Sequence, residues 1–354
     1  MTAPAPSRGP ARGPAMGTPT PLATFGLDVL DDLRRSAGRL LDTLGHAPRT
    51  TPSAVVDLAP GVRLHTYPDA DPSGPPLLLV PAPIKRCYIF DLDPRCSVVA
   101  RCLRHGLQPH LVEWTDPEPD QQRLGLDDYA DGLLRHCLRA VADRTRVGRV
   151  PLVGHSLGGT LAALCAARYP DLVAGVALLE APLHFGSHTG RLATLITTPT
   201  PGPTIGLLDA FPNGVPGSLL TLAAAAAAPT EFHLDRWTDL LGCLPDPEAL
   251  ATYLRVLRWT LDEFRQPRQL FLDVVERPSP VAGSSPWRRA SGCPLRPARA
   301  RRGRRQTTCT PSDPLAGVPV GRHELVVVLE AGVVADVDGH PTVRESPSPS
   351  HPRA

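Results

Sequence analysis

One segment constrains this 354-residue chain more than any other. Val147 to Gly154 reads as a strand, Thr160 to Tyr169 as a helix, and Val153-Gly154-His155-Ser156-Leu157-Gly158-Gly159 joins them. A strand passing directly into a helix through a glycine-flanked serine forces a sharp turn, with the serine strained and its hydroxyl exposed at the tip. Gly154 and Gly158 are required to be small because neighbouring backbone passes close to them. The Leu157 N–H opens the helix and is available to an oxyanion. Ser156 is therefore the candidate nucleophile of an acyl-transfer site.

The flanking pattern gives this turn its setting. Pro76-Leu-Leu-Leu-Val-Pro81 is a short continuous apolar run, as expected of a strand buried on both faces. Ser97 to His105 reads as a helix, Pro109 to Trp114 as a strand, Leu126 to Arg144 as a helix and Leu172 to Leu179 as a strand. Strand and helix alternate, which predicts a mostly parallel sheet covered by helices. Upstream, Phe25 to Leu44 has amphipathic-helix spacing, and Val55 to Tyr67 alternates as one or two strands. The loop Pro81-Ala82-Pro83-Ile84 follows the first buried strand and should supply the second oxyanion donor. Both prolines lack an N–H, so Ala82 or Ile84 provides it.

Four segments are expected: a disordered stretch over 1–22, a core over 23–190, a helical cap over 191–277 and an Arg/Pro-rich stretch over 278–354. In the cap, Leu219–Ala228, Glu231–Leu241 and Pro247–Trp259 read as helices. Pro278 to Ser312 has no acidic residue, while eight arginines lie between Arg288 and Arg305. Order returns only in Glu324–Val334, a candidate strand. Lys85 is the single lysine, which with 43 prolines and 30 glycines points to a G+C-rich gene. In such a gene a shifted frame yields Arg, Pro, Ala, Gly and Ser. The codons of Gln306-Thr307-Thr308, read one register over, can spell Asp-Asp. A frameshifted C-terminal quarter, its true acid and base missing, is one expectation for this stretch.

Composition excludes some classes. A net charge of +2 favours neither nucleic acid nor an acidic partner, and arginines without interleaved aromatics make a weak binding patch. The N-terminus has no apolar run behind its arginines, as a signal peptide requires, and Leu219 to Ala228 is too short for a membrane span, so a cytoplasmic protein is expected. The eight cysteines are not spaced as a disulfide framework or a zinc site; reduced thiols and no metal are expected.

Taken together, the elbow and the alternation predict an α/β-hydrolase fold. From Pro76 to about Arg277 the chain also resembles the polyhydroxyalkanoate synthases, the shorter class III type above all. The resemblance rests on Leu78-Leu-Val-Pro81, Cys87-Tyr-Ile-Phe-Asp-Leu92 with Ser97-Val-Val99, Glu113-Trp114 with Asp116-Pro117, Leu126-Asp-Asp-Tyr129 and the elbow with Gly159-Thr160. Pro216-Gly-Ser-Leu-Leu220 and Tyr253 to Phe264 look like that family's cap. The synthases carry cysteine at the nucleophile position, where this chain has Ser156, and His184 stands where relatives tend to have aspartate. A serine forms a more stable oxyester than a thiolate's thioester, which favours hydrolysis or esterase-type transfer over polymerisation.

In this fold the acid and base follow the serine in the chain. Asp313 and His340 fit that order, with Gly339-His340 resembling the family's Gly-His; His323 is a competing base, and Asp336 and Asp338 are competing acids. The resemblance implies a small-molecule or polyester substrate of hydroxyacyl type, with a coenzyme A thioester as a candidate substrate rather than a bound cofactor. It leaves room for a second synthase-type subunit. A polymerase and a non-catalytic relative stay open as alternatives.

Overall fold

The computed structural model describes residues 21–181, 183, 211, 213–219, 221–222, 235–276, 326–329, 333–335 and 341–343. Helix α1 (Pro21–Leu41) leads through a widened turn at Asp42–His46 to β1 (Ala54–Ala59) and β2 (Val62–Thr66). The stretch read as one or two strands is two, because Pro60-Gly61 reverses the chain and Gly61 takes a φ of +96°. Then come β3 (Pro76–Val80), α2 (Val98–Arg104), β4 (Gln108–Trp114), a π-wound stretch Asp128–Leu134 running into α3 (Arg135–Thr145), and β5 (Val150–His155). Helix α4 (Leu157–Arg168) and β6 (Val173–Leu179) complete the central series. Local signals set these boundaries: the Ser97 hydroxyl accepts from the Ala100 N–H at 2.8 Å and caps α2.

The sheet runs in the order β1-β2-β4-β3-β5-β6-β7, with β7 at Val326–Leu329. The β1–β2 and β2–β4 pairs are antiparallel; every pairing from β4 across to β7 is parallel. The stretch expected to regain order beyond Arg277 thus supplies an edge strand, Val326 lying beside Val176 and Leu329 beside Leu179. A separate pair, β8 (Val333–Ala335) and β9 (Pro341–Val343), is antiparallel.

Side chains of the inner strands alternate between two cores. Leu78, Val80, Val112 and Leu152 meet α3 and α4 on one face, and Leu79 and Leu111 meet Cys87, Phe90 and Val99 on the other. Arg168 of α4 pairs with Asp127 and Asp131, both at 2.5 Å, which locks the start of the neighbouring helix to the elbow helix.

Beyond β6 the described elements are α5 (Asp235–Cys243), α6 (Pro247–Thr260) and α7 (Arg268–Glu276). Asp246 caps α6, accepting from the Glu248 N–H at 2.8 Å with Pro247 in the first turn. Helix α6 packs against both α1 and α5. Arg258 on α6 grips Asp42 through two hydrogen bonds of 2.8 and 3.0 Å, tying the end of α1 to this layer. Helix α7 docks on the central domain: Asp273 accepts from the Leu126 N–H at 2.8 Å, and Leu270 is fully buried.

Candidate active site

The nucleophile elbow follows from close backbone passage. Ser156 sits between β5 and α4 with φ 53° and ψ −129°, a conformation that disfavours any side chain. Its N–H donates to the Leu179 carbonyl at 2.8 Å, and its own carbonyl accepts from Gly159 at 2.9 Å and Thr160 at 3.2 Å. The glycines are sterically obligatory. A Cβ on Gly158 would stand 2.3 Å from the carbonyl oxygens of Val80 and Pro81, one on Gly154 would stand 2.4 Å from the Gly159 Cα, and one on Gly159 would stand 2.5 Å from the Ala181 Cβ. The expected roles of Gly154 and Gly158 thus have a geometric cause, and Gly159 joins them.

Gly158 lies against the end of β3, which brings the elbow to the Pro81–Ile84 loop. That loop is held from two sides. The Trp114 indole N–H donates to the Pro81 carbonyl at 2.8 Å, and the Gln266 side-chain amide donates to the Pro83 carbonyl. The Phe264 N–H meets the Ile84 carbonyl at 3.4 Å. Ser156, Ala82, Ile84, Ile89 and Trp259 line one cavity of ≈ 110 Å³ together with His155, Lys85 and Arg86. The structure thus gathers Ser156, Ala82 and Ile84, the predicted nucleophile and both candidate loop donors, around one apolar space. Leu157, first residue of α4, is buried beside them.

Both cations at the cavity are paired with carboxylates. Lys85 is 2.9 Å from Glu263 and lies over the Trp259 ring, and Arg86 is 2.8 Å from Asp116 and 3.6 Å from Asp262. Trp259, whose indole N–H donates to the Arg86 carbonyl at 2.9 Å, closes the cavity from α6. Burial pushes the His155 imidazole below its ordinary pKa, with nearby Glu180 opposing that shift. Among the described residues no thiol occupies the site. Burial lifts Cys87, Cys137 and Cys165 to about 12 and Cys102 to about 11, so these thiols stay protonated at neutral pH. The six described cysteines are unpaired.

The predicted acid and base, Asp313 and His340, lie outside the described residues, as do His323, Asp336, Asp338 and His184. Two features escaped sequence reasoning. Trp259 lies in the Tyr253–Phe264 stretch that resembles the family's cap, and Gln266 just beyond it, but nothing in the sequence singled out either side chain. Ser53, His65 and Glu113 form a hydrogen-bonded row across the sheet; their spacings of 12 and 48 residues match no sequence signature.

The strand order with its single antiparallel flank, and the strained serine between β5 and α4, define an α/β-hydrolase-fold protein. Residues 112–232 accordingly match the alpha/beta hydrolase fold family. Within that fold the chain is polyhydroxyalkanoate-synthase-like in sequence. It is 28% identical over 220 residues to the poly(3-hydroxyalkanoate) polymerase subunit PhaC of Synechocystis, an alignment covering 59% of this chain and 57% of that one. It is 31% identical over 187 residues to the subunit of the same name from Haloferax mediterranei, covering 53% and 38%. With the Thiocystis violacea subunit it shares 24% over 256 residues, covering 72% and 71%. The chain spans about half the length of the first of these relatives. No helix among the described residues is long and apolar enough to cross a membrane.

Proposed function

We propose that the protein transfers or hydrolyses hydroxyacyl groups carried as esters or thioesters, with Ser156 as nucleophile. The observation that carries this reading is the strained φ of Ser156 above an apolar cavity that it shares with Ala82 and Ile84. Likeness to polymerase subunits supports the hydroxyacyl class of substrate.

In the reaction the Ser156 hydroxyl attacks the acyl carbonyl and its proton passes to a histidine base, for which His340 with Asp313 remains the proposed pair. The N–H of Leu157, with that of Ala82 or Ile84, steadies the oxyanion. The alcohol or thiol leaves, and water or a hydroxyl of another substrate resolves the acyl-serine. Serine in place of a thiolate favours water, because an oxyester is less readily exchanged than a thioester. A 3-hydroxyacyl-coenzyme A thioester would be substrate, not cofactor. Partnership with a second synthase-type subunit belongs to the same proposal.

The test is incubation with 3-hydroxybutyryl-coenzyme A, following thiol release and product size. Free hydroxy acid, lost on the order of 10³-fold in Ser156→Ala, supports the hydrolytic reading. Insoluble polyester would favour the polymerase alternative, and thiol release unchanged in Ser156→Ala would remove Ser156 from the mechanism.

A further inference from the structure

We propose that Ser53 is a second acylation site, activated by His65 and Glu113 and independent of Ser156. The Ser53 hydroxyl oxygen lies 2.9 Å from His65 Nδ1, and His65 Nε2 lies 2.9 Å from Glu113 Oε2. The row has the nucleophile–base–carboxylate order that acyl transfer uses, with the two ring nitrogens exchanged: the serine meets Nδ1 and the carboxylate Nε2.

The direction of each hydrogen bond follows from charge. Glu113 is held below the usual carboxylate range, chiefly by its bond to His65, with burial opposing. An ionised carboxylate only accepts, so His65 Nε2 carries the proton. Nδ1 then presents its lone pair, and the Ser53 O–H donates to it. The imidazole is thereby fixed in the tautomer of a general base, and Glu113 stabilises the imidazolium that forms when the proton moves.

The sheet holds the row in place. His65 pairs across β1 with Val55, two residues past Ser53, and Arg63 pairs with Glu113 on β4. His65 and Glu113 are 18% and 23% exposed, shielded enough to keep their bond yet reachable from solvent. From β1 to β5 there are four strand spacings in the sheet order, roughly 19 Å, so Ser53 does not share the Ser156 cavity.

Ser53 precedes an edge strand and has no helix N-terminus behind it, so the expected chemistry is stoichiometric acylation by activated esters or thioesters. The Oγ–carbonyl bond forms, the bond from carbonyl to the leaving oxygen or sulfur breaks, and the hydroxyl proton passes through His65 to the departing group.

The test uses full-length Ser156→Ala protein and p-nitrophenyl acetate. The expected result is release of one equivalent of p-nitrophenol with the acetyl group mapped to Ser53 by peptide mass spectrometry. The rate should fall on the order of 10²-fold in His65→Phe, and the adduct should vanish in Ser53→Ala while thermal melting stays unchanged. An acetyl group on His65 instead, no adduct on Ser53, or an unaltered rate in His65→Phe would overturn the proposal.

Discussion

Among the described residues, two serines divide between them the parts of an acyl-transfer site. Ser156 has the strained turn, the helix N-terminus, the donor-bearing loop and an apolar cavity. Ser53 has a base and a carboxylate at 2.9 Å contacts but sits in ordinary surroundings before an edge strand. The contrast separates the surroundings that stabilise a developing oxyanion from those that make a serine nucleophilic. Preorganised donors act on the transition state, whereas a paired imidazole acts on the hydroxyl proton.

Changes that remove one side of this division should produce effects of graded size. The largest belongs to the elbow. Gly158→Val places carbon against two backbone carbonyls that cannot retreat without moving β3, and should cost about 3 kcal/mol or more in urea unfolding. The equivalent test at the other serine, Ser53→Val, should stay within about 1 kcal/mol.

Histidine environment comes next. His110 on β4 is 3% exposed, and neither ring nitrogen has a partner among the described residues. Burial, with a smaller push from Arg144, holds it down to about 4. A histidine depressed in the fold binds its proton in the unfolded chain first. Stability from its neutral form is therefore complete above about pH 6.5 and lost as pH falls toward 4, a drop of a few kcal/mol. In His110→Leu, unfolding measured between pH 7 and 4 should lose most of that slope. An unchanged slope in His110→Leu would assign the acid sensitivity elsewhere.

Backbone strain gives a smaller effect of opposite sign. Ser156→Gly should raise stability by about 1 kcal/mol, because glycine adopts φ 53° without a Cβ clash. Ser53→Gly should not, and a stabilised Ser53→Gly with an unaffected Ser156→Gly would reverse the comparison. The change with the least effect on stability is Glu113→Gln, which keeps the shape of the row but removes the charge opposite His65. Acetylation of Ser53 should slow by about tenfold with little change in melting temperature.

Much of the first serine's setting was legible in sequence because close backbone packing admits only glycine, and glycine at 154, 158 and 159 is visible as letters. The β3–β6 series was equally legible, since a strand buried on both faces is a continuous apolar run. The β1–β2 hairpin was ambiguous until Gly61 fixed the turn. Gln266 and Trp259 were not legible: they reach the site from the loop before α7 and from the end of α6, and any amide or large ring at those positions reads as ordinary. The Ser53 row was invisible for a related reason. Its members meet only when β2 lies between β1 and β4, so sheet order, rather than spacing along the chain, creates the contact. Asp313 and His340 remain sequence-level expectations, set by chain order in the fold.

The most direct test of the central claim is reaction of the folded full-length protein with a fluorophosphonate, followed by peptide mapping. The account predicts a phosphonyl adduct on the peptide carrying Ser156, absent in Ser156→Ala, whether or not a slower adduct forms at Ser53. A folded protein that reacts at Ser53 alone, or at neither serine, would contradict it.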